Sequence, residues 1–396
     1  MEPVTTVRRV RFFDTTLRDG EQAPGNAMTP DQKLHMALRL EALGVDCVEA
    51  GFPASSPSDF EATRHISRNL SRARFATFSR TSRQDVDVAV EAGGVNNHEV
   101  QMVATGSDIH LRHKRGIGRQ QAIAEVTDTV AHASALGIHH ISVGIEDASR
   151  GEDDLLHALT ESALEAGADC IILADTTGCM TPDEYGELVA KVRRWAPPPV
   201  RVSTHCHDDF GLSLANALAG LLAGADEVQV TLGGIGERAG NTPLEELAAL
   251  LAYKGETLCL RTTIELTSMY ETYTVLRKMI NLEEPRNKPI FGRYAFGTAA
   301  GIHQQGMLSN PATYEFVEPA RFGRQRSLLV GRHSGRAILR HLLQEIGVEV
   351  DEEQLNALYQ RHIADRVGSD SEDLAAVRRR LQGELLSSGT TTRTPA

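Results

Sequence analysis

Four phrases echo along the chain: LGVDCVEAGF at 43–52, LGIHHISVGI at 136–145, AGADCIILAD at 166–175 and AGADEVQVTL at 223–232. Each reads as the end of a helix, a glycine, and then a short apolar run. Glycine suits the left-handed residue just past a helix, and an apolar run suits a strand buried on both faces. Helix starts are marked too: TPDQKLHMALRLEALG (29–44) and TPDEYGELVAKVRRWAP (181–197) put Thr at the N-cap and Pro at the first helical position. The pattern predicts eight strands, near 8–14, 46–52, 74–80, 98–105, 140–146, 170–176, 200–207 and 227–232. The stretches between them have the length of one crossover helix plus loops, which makes neighbouring strands parallel. Eight such units predict a (β/α)8 TIM barrel over residues 1–255, with an open doubly wound sheet as the alternative. Residues 256–385 read as a mainly helical C-terminal subdomain, and the polar stretch 386–396 as a disordered tail.

Composition narrows the setting. With 396 residues, 41% hydrophobic and 24% charged, the chain has the make-up of a soluble globular protein. A formal charge of -12 argues against a nucleic-acid or anionic-membrane surface. Cys47, Cys170, Cys179, Cys206 and Cys259 form no CxxC pair and are odd in number, so they read as reduced thiols. The start MEPVTTVRRVRFF lacks a secretory apolar region, and no apolar run reaches the roughly 18 residues that span a bilayer. A cytoplasmic protein is the expectation.

Barrel chemistry sits at the carboxyl ends of the strands. Those positions hold Arg18, Asp19, Glu21 and Gln22 after the first strand, Glu146 and Asp147 after the fifth, and Asp175, Thr176 and Thr177 after the sixth. THCHDD ends the seventh and LGGIGERAGN follows the eighth. Residues two apart on a strand share a side, so His205 and His207 can grip one cation, with Asp19 as third ligand and positions left open for substrate oxygens. The alternative is a hydrogen-bonded histidine pair. Zn, Mn, Mg, Fe and Co are not distinguished, whereas two imidazoles disfavour Ca.

Arg18 can hold an oxyanion at the metal, or else pair with Asp14 or Glu21. Glu146 reads as an acid/base group or a clamp, with pairing to Arg150 as the alternative. Thr176 offers a hydroxyl or a turn. Gly234-x-Gly236-x-x-Ala239 matches a dinucleotide fingerprint, but it follows the last barrel unit instead of opening a βαβ pair. It reads better as a glycine loop feeding a helix capped by Thr242 with Pro243 and Glu245, which leaves Asn241 on the metal side of the barrel mouth.

DTTLRDGEQ, HCHDD, VGIEDASR, LADTTG, GGIGERAGNTPLEE, AAGIHQQG and GRHSGR, in that set and spanning roughly residues 10–340, resemble the isopropylmalate/homocitrate synthase family. The resemblance implies a (β/α)8 barrel that uses a divalent metal to condense acetyl-CoA with an α-keto acid, releasing CoA. It implies a homodimer in which the C-terminal segment reaches over the neighbour's barrel. Carried over residue by residue, it implies metal ligands at Asp19, His205 and His207 with Asn241 close by, and Arg18 polarising the ketone. Thr176 then binds the keto acid's carboxylate, with Gln22 in the substrate-binding set. His303 is the implied base, assisted by Glu146 and Tyr314.

Departures bear on the substrate. Gly144 stands where the family commonly has Ser, and Thr298-Ala299 replaces a His-Glu or His-Ser pair. With about 50 residues after GRHSGRAILRHLLQEIG, the expectation is that the feedback domain of long isopropylmalate synthases is lacking. Arg80 and His110, near the ends of the third and fourth strands, suggest a second anionic group on the keto acid, as in 2-oxoglutarate, oxaloacetate or phosphonopyruvate. The alternative is 2-oxoisovalerate, with a hydroxymethylglutaryl-CoA-type lyase or a non-catalytic binding protein as further readings.

Overall fold

The structure, a computed structural model, describes residues 7–368 and 371–387. They divide into two compact units, Met1–Glu283 and Glu284–Ala396. In the first, eight parallel strands close into a barrel in sequence order: β1 (Arg11–Asp14), β2 (Cys47–Gly51), β3 (Arg74–Arg80), β4 (His98–Thr105), β5 (His140–Glu146), β6 (Cys170–Asp175), β7 (Arg201–Cys206) and β8 (Glu227–Val230). All eight predicted runs contain their strand. Between them run α1 (Pro30–Leu43), α2 (Pro57–Asn69), α3 (Arg83–Gly93), α4 (Arg119–Ala135), α5 (Asp153–Ala166), α6 (Pro182–Trp195) and α7 (Ser213–Leu222), and α8 (Leu244–Leu258) follows β8.

The local chemistry explains these boundaries. β2 and β6 are buried along their whole length, as strands roofed by helices must be. At the start of α1 the Thr29 hydroxyl accepts from Gln32 N at 3.3 Å, and Thr29 N donates to Gln32 Oε1 at 2.8 Å. Thr181 N donates likewise to Glu184 Oε2 at 2.8 Å. The box expected at Thr242 does not form. α8 starts at Leu244, the Thr242 hydroxyl donates to Ser213 O, and Glu245 accepts from Gly233 N at 2.9 Å. That acid stitches the loop after β8 to its own helix instead of capping the helix end.

Charge fills part of the barrel interior. Glu99 receives Arg74 Nη1 at 2.7 Å and Arg201 Nη2 at 3.1 Å, while Glu227 receives Arg201 Nη1 at 2.8 Å. Both carboxylates are fully buried. Glu99, Glu227 and Cys170 place ligand-type atoms within 4.8 Å of one another, but the guanidinium groups already neutralise the acids. Burial also pushes the Cys170 thiol far above its ordinary value, so it is no ready thiolate ligand.

The first unit extends to 283, beyond the boundary expected at 255, which falls inside α8. Arg8–Arg9 pairs in parallel with Leu260–Arg261, Glu265 N donates to Leu43 O, and Arg39 reaches Glu271 on the helix Met269–Met279. This segment is tied to the first unit through Arg8–Arg9, ahead of β1, and through the C-terminal half of α1. The second unit has its own core, including Val330, Ile338, Leu342, Val377 and Leu381. Besides helices it carries a three-stranded sheet of Gly297–Thr298, Ser327–Val330 and Glu372–Asp373. The tail expected from 386 lies, from 388 onward, outside the described residues. No helix among the described residues is long and apolar enough to cross a membrane.

Candidate active site and metal centre

At the carboxyl end of the barrel lies a cavity of about 290 Å³, and Arg18, Asp19, Gln22, Glu146, Thr176, His205 and His207 line it. The period of two delivers them: on β7 and just past it, His205 and His207 point to the same side. Their Nε2 atoms face each other 3.2 Å apart, and His205 Nε2 lies 3.7 Å from Asp19 Oδ2. Two nitrogens each about 2.1 Å from one cation stand roughly 3 Å apart at a right angle, which is the spacing seen. The ligand atoms of Asp19, His205 and His207 all fall within 4.8 Å of one another.

Protonation favours the ligand role. Burial, with His207 alongside, lowers His205 to about 3, and burial lowers His207 as well. Burial pushes the Asp19 carboxyl up, but Arg18, the two imidazoles and the Asn241 amide outweigh it and hold Asp19 well below the usual carboxylate range. At neutral pH the site therefore offers two neutral imidazoles and a carboxylate, the forms a divalent cation needs. His205 Nδ1 meets Gln229 Oε1 at 2.8 Å, a contact that requires a proton on Nδ1 and leaves the Nε2 lone pair for a metal. Asn241 Nδ2 donates to Asp19 Oδ1 at 2.6 Å, while its own Oδ1 is buried without a hydrogen-bond partner. The glycine loop permits this approach: a Cβ on Gly236 would lie 2.0 Å from Asn241 Nδ2. The residues fit a divalent metal.

Gln229 was not foreseen. Its amide donates onward to Gln101 Oε1 at 2.7 Å, so two buried glutamines set the His205 ring. Their signal was a polar residue at every second place in a buried strand, as in Glu227-x-Gln229-x-Thr231. Replacing Gln229 by Leu is expected to lower metal affinity by about 10–100-fold with the fold retained, read as metal content after dialysis alongside a circular-dichroism melt.

Arg18 pairs with neither Asp14 nor Glu21. Its Nε donates to Glu49 Oε2 and its Nη1 to Asp19 Oδ2, both at 2.8 Å, with the Phe78 ring 4.7 Å away. The cation is clamped on two sides, with Nη2 left to meet a substrate oxygen. Thr176 Oγ1 accepts from Asp147 N at 2.8 Å, which turns its own O–H outward as a donor. Glu146 pairs not with Arg150 but with Lys114, whose Nζ lies 2.6 and 2.8 Å from its two oxygens. Arg150 is bound instead to Asp147 Oδ1 at 2.8 Å.

Two expected substrate residues are placed elsewhere. Arg80 is two-thirds exposed and spends its fork on Asp85, with Nε and Nη2 at 2.7 and 2.8 Å. His110 lies between Glu146 Oε2 (3.3 Å) and Asp147 Oδ2 (3.7 Å). Neither lines the cavity. One side of the lining is instead an apolar patch of Phe78, Val103, Gly144, Ile172 and Ala174, with Gln101, Gln229, Glu237 and Arg238 elsewhere around the cavity.

In the second unit, His303 stands exposed on the helix Gly301–Ser309 with its ring 4.3 Å from that of Tyr314. Ile302 and Phe316 nearby in sequence are also largely exposed. AAGIHQQG and GRHSGR meet here: Gly301 N donates to His333 O, and Ser334 Oγ to Ala299 O at 2.9 Å.

Residues 9–276 match the HMGL-like family, and residues 290–367 match the homocitrate synthase post-HMGL domain. A 2-isopropylmalate synthase of Sulfolobus acidocaldarius is 41% identical over 350 residues, covering 88% of each chain. One from Sediminispirochaeta smaragdinae is 39% identical over 364 residues, covering 90% of this chain and 72% of its own. Among solved structures, the hydroxymethylglutaryl-CoA lyase of Pseudomonas aeruginosa superposes with a TM-score of 0.60 at 20% identity, over 74% of this chain and 96% of its own. That likeness speaks for the fold alone.

Proposed function

Because the chain belongs to the HMGL-like family, and within it to the enzymes that condense acetyl-CoA with an α-keto acid, we propose that its keto acid carries an apolar side chain. The observation that carries this reading is one cavity in which a metal-type triad and a clamped Arg18 face an apolar wall. A second anionic group on the substrate finds no counter-charge there. Of the two wall guanidiniums, Arg18 is held by Glu49 and Asp19, and Arg238 by Asp209 and the Thr176 carbonyl. Burying an unmatched carboxylate or phosphonate against Val103 and Ile172 would cost several kcal/mol, on the order of the penalty for an uncompensated ion. A 2-isopropylmalate synthase type of reaction therefore fits better than homocitrate or phosphonomethylmalate synthesis.

The chain's own groups have defined tasks in this reading. Asp19, His205 and His207 hold a divalent metal, which when bound supplies a Lewis acid for the ketone. Thr176 O–H donates to the keto acid's carboxylate, which fixes the carbonyl relative to Arg18. Arg18 Nη2 donates to the ketone oxygen as negative charge collects on it, an interaction stronger in the transition state than in the ground state. The His303 imidazole takes a proton from the acetyl methyl, and the carbanion so formed attacks the keto carbon. One C–C bond forms as the π bond of the ketone breaks, the resulting alkoxide takes up a proton to match the one His303 removed, and water cleaves the thioester, its hydroxyl going to the acyl carbon and its proton to the CoA thiolate. Lys114 keeps Glu146 fixed at the rim.

Tyr314 and His303 belong to the second unit, and an exposed His303–Tyr314 face suits completion of a neighbour's barrel in a homodimer. The test is thiol release from acetyl-CoA against a panel of keto acids with metal supplied. Apolar keto acids are expected to turn over at least ~10-fold faster than 2-oxoglutarate, oxaloacetate or phosphonopyruvate, the discrimination that one unmatched buried group produces. The reverse order would overturn the apolar reading.

A further inference from the structure

The apolar wall has a gap in it. Val103 on β4, Gly144 on β5 and Ile172 on β6 are register partners in a row across three neighbouring strands, and all three line the cavity. The outer two present branched aliphatic side chains, and the middle one presents none.

Nothing in the backbone asks for glycine at 144. Its φ lies outside the left-handed region, and it sits within a regular strand paired on both sides. A Cβ built there would meet Met102 O at 3.7 Å and Ile172 Cβ at 3.9 Å, ordinary contact distances. Contrast Gly106, where a Cβ would press within 2.5 Å of Ile145, or Gly220, where it would meet Thr204 at 2.6 Å. Those glycines serve packing. Gly144 bears the entropic cost of glycine in a strand without a packing reason. What it leaves is a slot between Val103 and Ile172, opening into the space shared with the metal ligands.

Resting on the function proposed above, we infer that the slot at Gly144 receives the far end of the keto acid's side chain and sets its size. The preferred substrate then carries an elongated or flat hydrocarbon, isobutyl or benzyl, in place of the compact isopropyl group. Val103 and Ile172 grip it from either side. The selectivity is steric and dispersive: a side chain that stops short leaves the slot unfilled, and one that reaches it removes apolar area from water.

The test is kcat/KM for thiol release with pyruvate, 2-oxobutyrate, 2-oxoisovalerate, 2-oxoisocaproate and phenylpyruvate, for the wild type and for Gly144→Ala and Gly144→Val. The wild type is expected to favour 2-oxoisocaproate or phenylpyruvate over 2-oxoisovalerate. Gly144→Val is expected to cut kcat/KM for those larger acids by about 10–100-fold while leaving pyruvate within about 3-fold, as filling a hydrophobic pocket does. Gly144→Ala, which adds one methyl at ordinary contact distance, keeps the inference testable should the larger change impair folding, and its shift has the same sign and is smaller. A wild type that prefers 2-oxoisovalerate or anything shorter overturns the inference, as do variants that lose activity equally on every acid or keep the wild-type order. Turnover of anionic keto acids alone would refute the parent reading instead.

Discussion

His207→Ala is expected to lower kcat/KM for thiol release by about 10³-fold and to leave the purified protein without stoichiometric metal. The size follows from position. Loss of an outer partner such as Gln229 weakens a metal site by about 10–100-fold, and loss of a direct ligand from a three-residue set goes beyond that. His207 is the informative proposed ligand to remove because it stands just past the end of β7, bordering the cavity, and its ring Nδ1 has no hydrogen-bond partner. The substitution thus breaks no inward contact of the barrel beyond that with His205. Metal content and activity should fall together while the melting temperature moves little. A variant that keeps its metal and its rate would show that the imidazole pair is structural.

His303→Ala is expected to lower kcat by about 10²–10⁴-fold, the range for loss of a general base, with little change in KM for the keto acid. The group is exposed, so truncation costs little stability. Its decisive form is a mixed dimer. When His207→Ala and His303→Ala chains are coexpressed and the two-tagged dimer is isolated, one of its two sites holds both lesions and the other holds none, if each barrel is completed by its neighbour. About half the wild-type activity then returns in that dimer, by two-fold symmetry. If a chain serves its own barrel, every site carries a lesion and no activity returns.

Much of this was legible in the sequence, for definite reasons. Parallel strands sheathed by helices are apolar on both faces, so CIILAD and CVEAG read as strands without reference to partners. His205 and His207 were legible because their spacing alone puts them on one side of a strand. Gln229 and Gln101 were not singled out, since the alternation in Glu227-x-Gln229-x-Thr231 and Glu99-x-Gln101 marks a polar face of each strand without saying which side chain on it reaches His205. Arg80 failed for a different reason. A strand-end arginine looks free in one dimension, but the chain turns at once into α3 and brings Asp85 back against the guanidinium. The extension of the first unit to 283 was not legible, because the helix Met269–Met279 buries Met269, Thr272, Tyr273 and Leu276 on one face, and such a face does not say which unit it packs against.

The Gln101–Gln229 bridge joins two things that an engineer would want to vary separately. Gln101 lies two places before Val103 on the same side of β4, so the strand that shapes one flank of the slot also anchors the amide relay behind His205. Substitutions along that strand that reach Gln101 would therefore also loosen the hydrogen bond that orients His205 in the proposed metal centre. Directed evolution toward new branched products should therefore progress faster through Gly144 on β5, a position with no side chain joined to that relay, than through β4 or through β6, whose Ala174 pairs in register with His205.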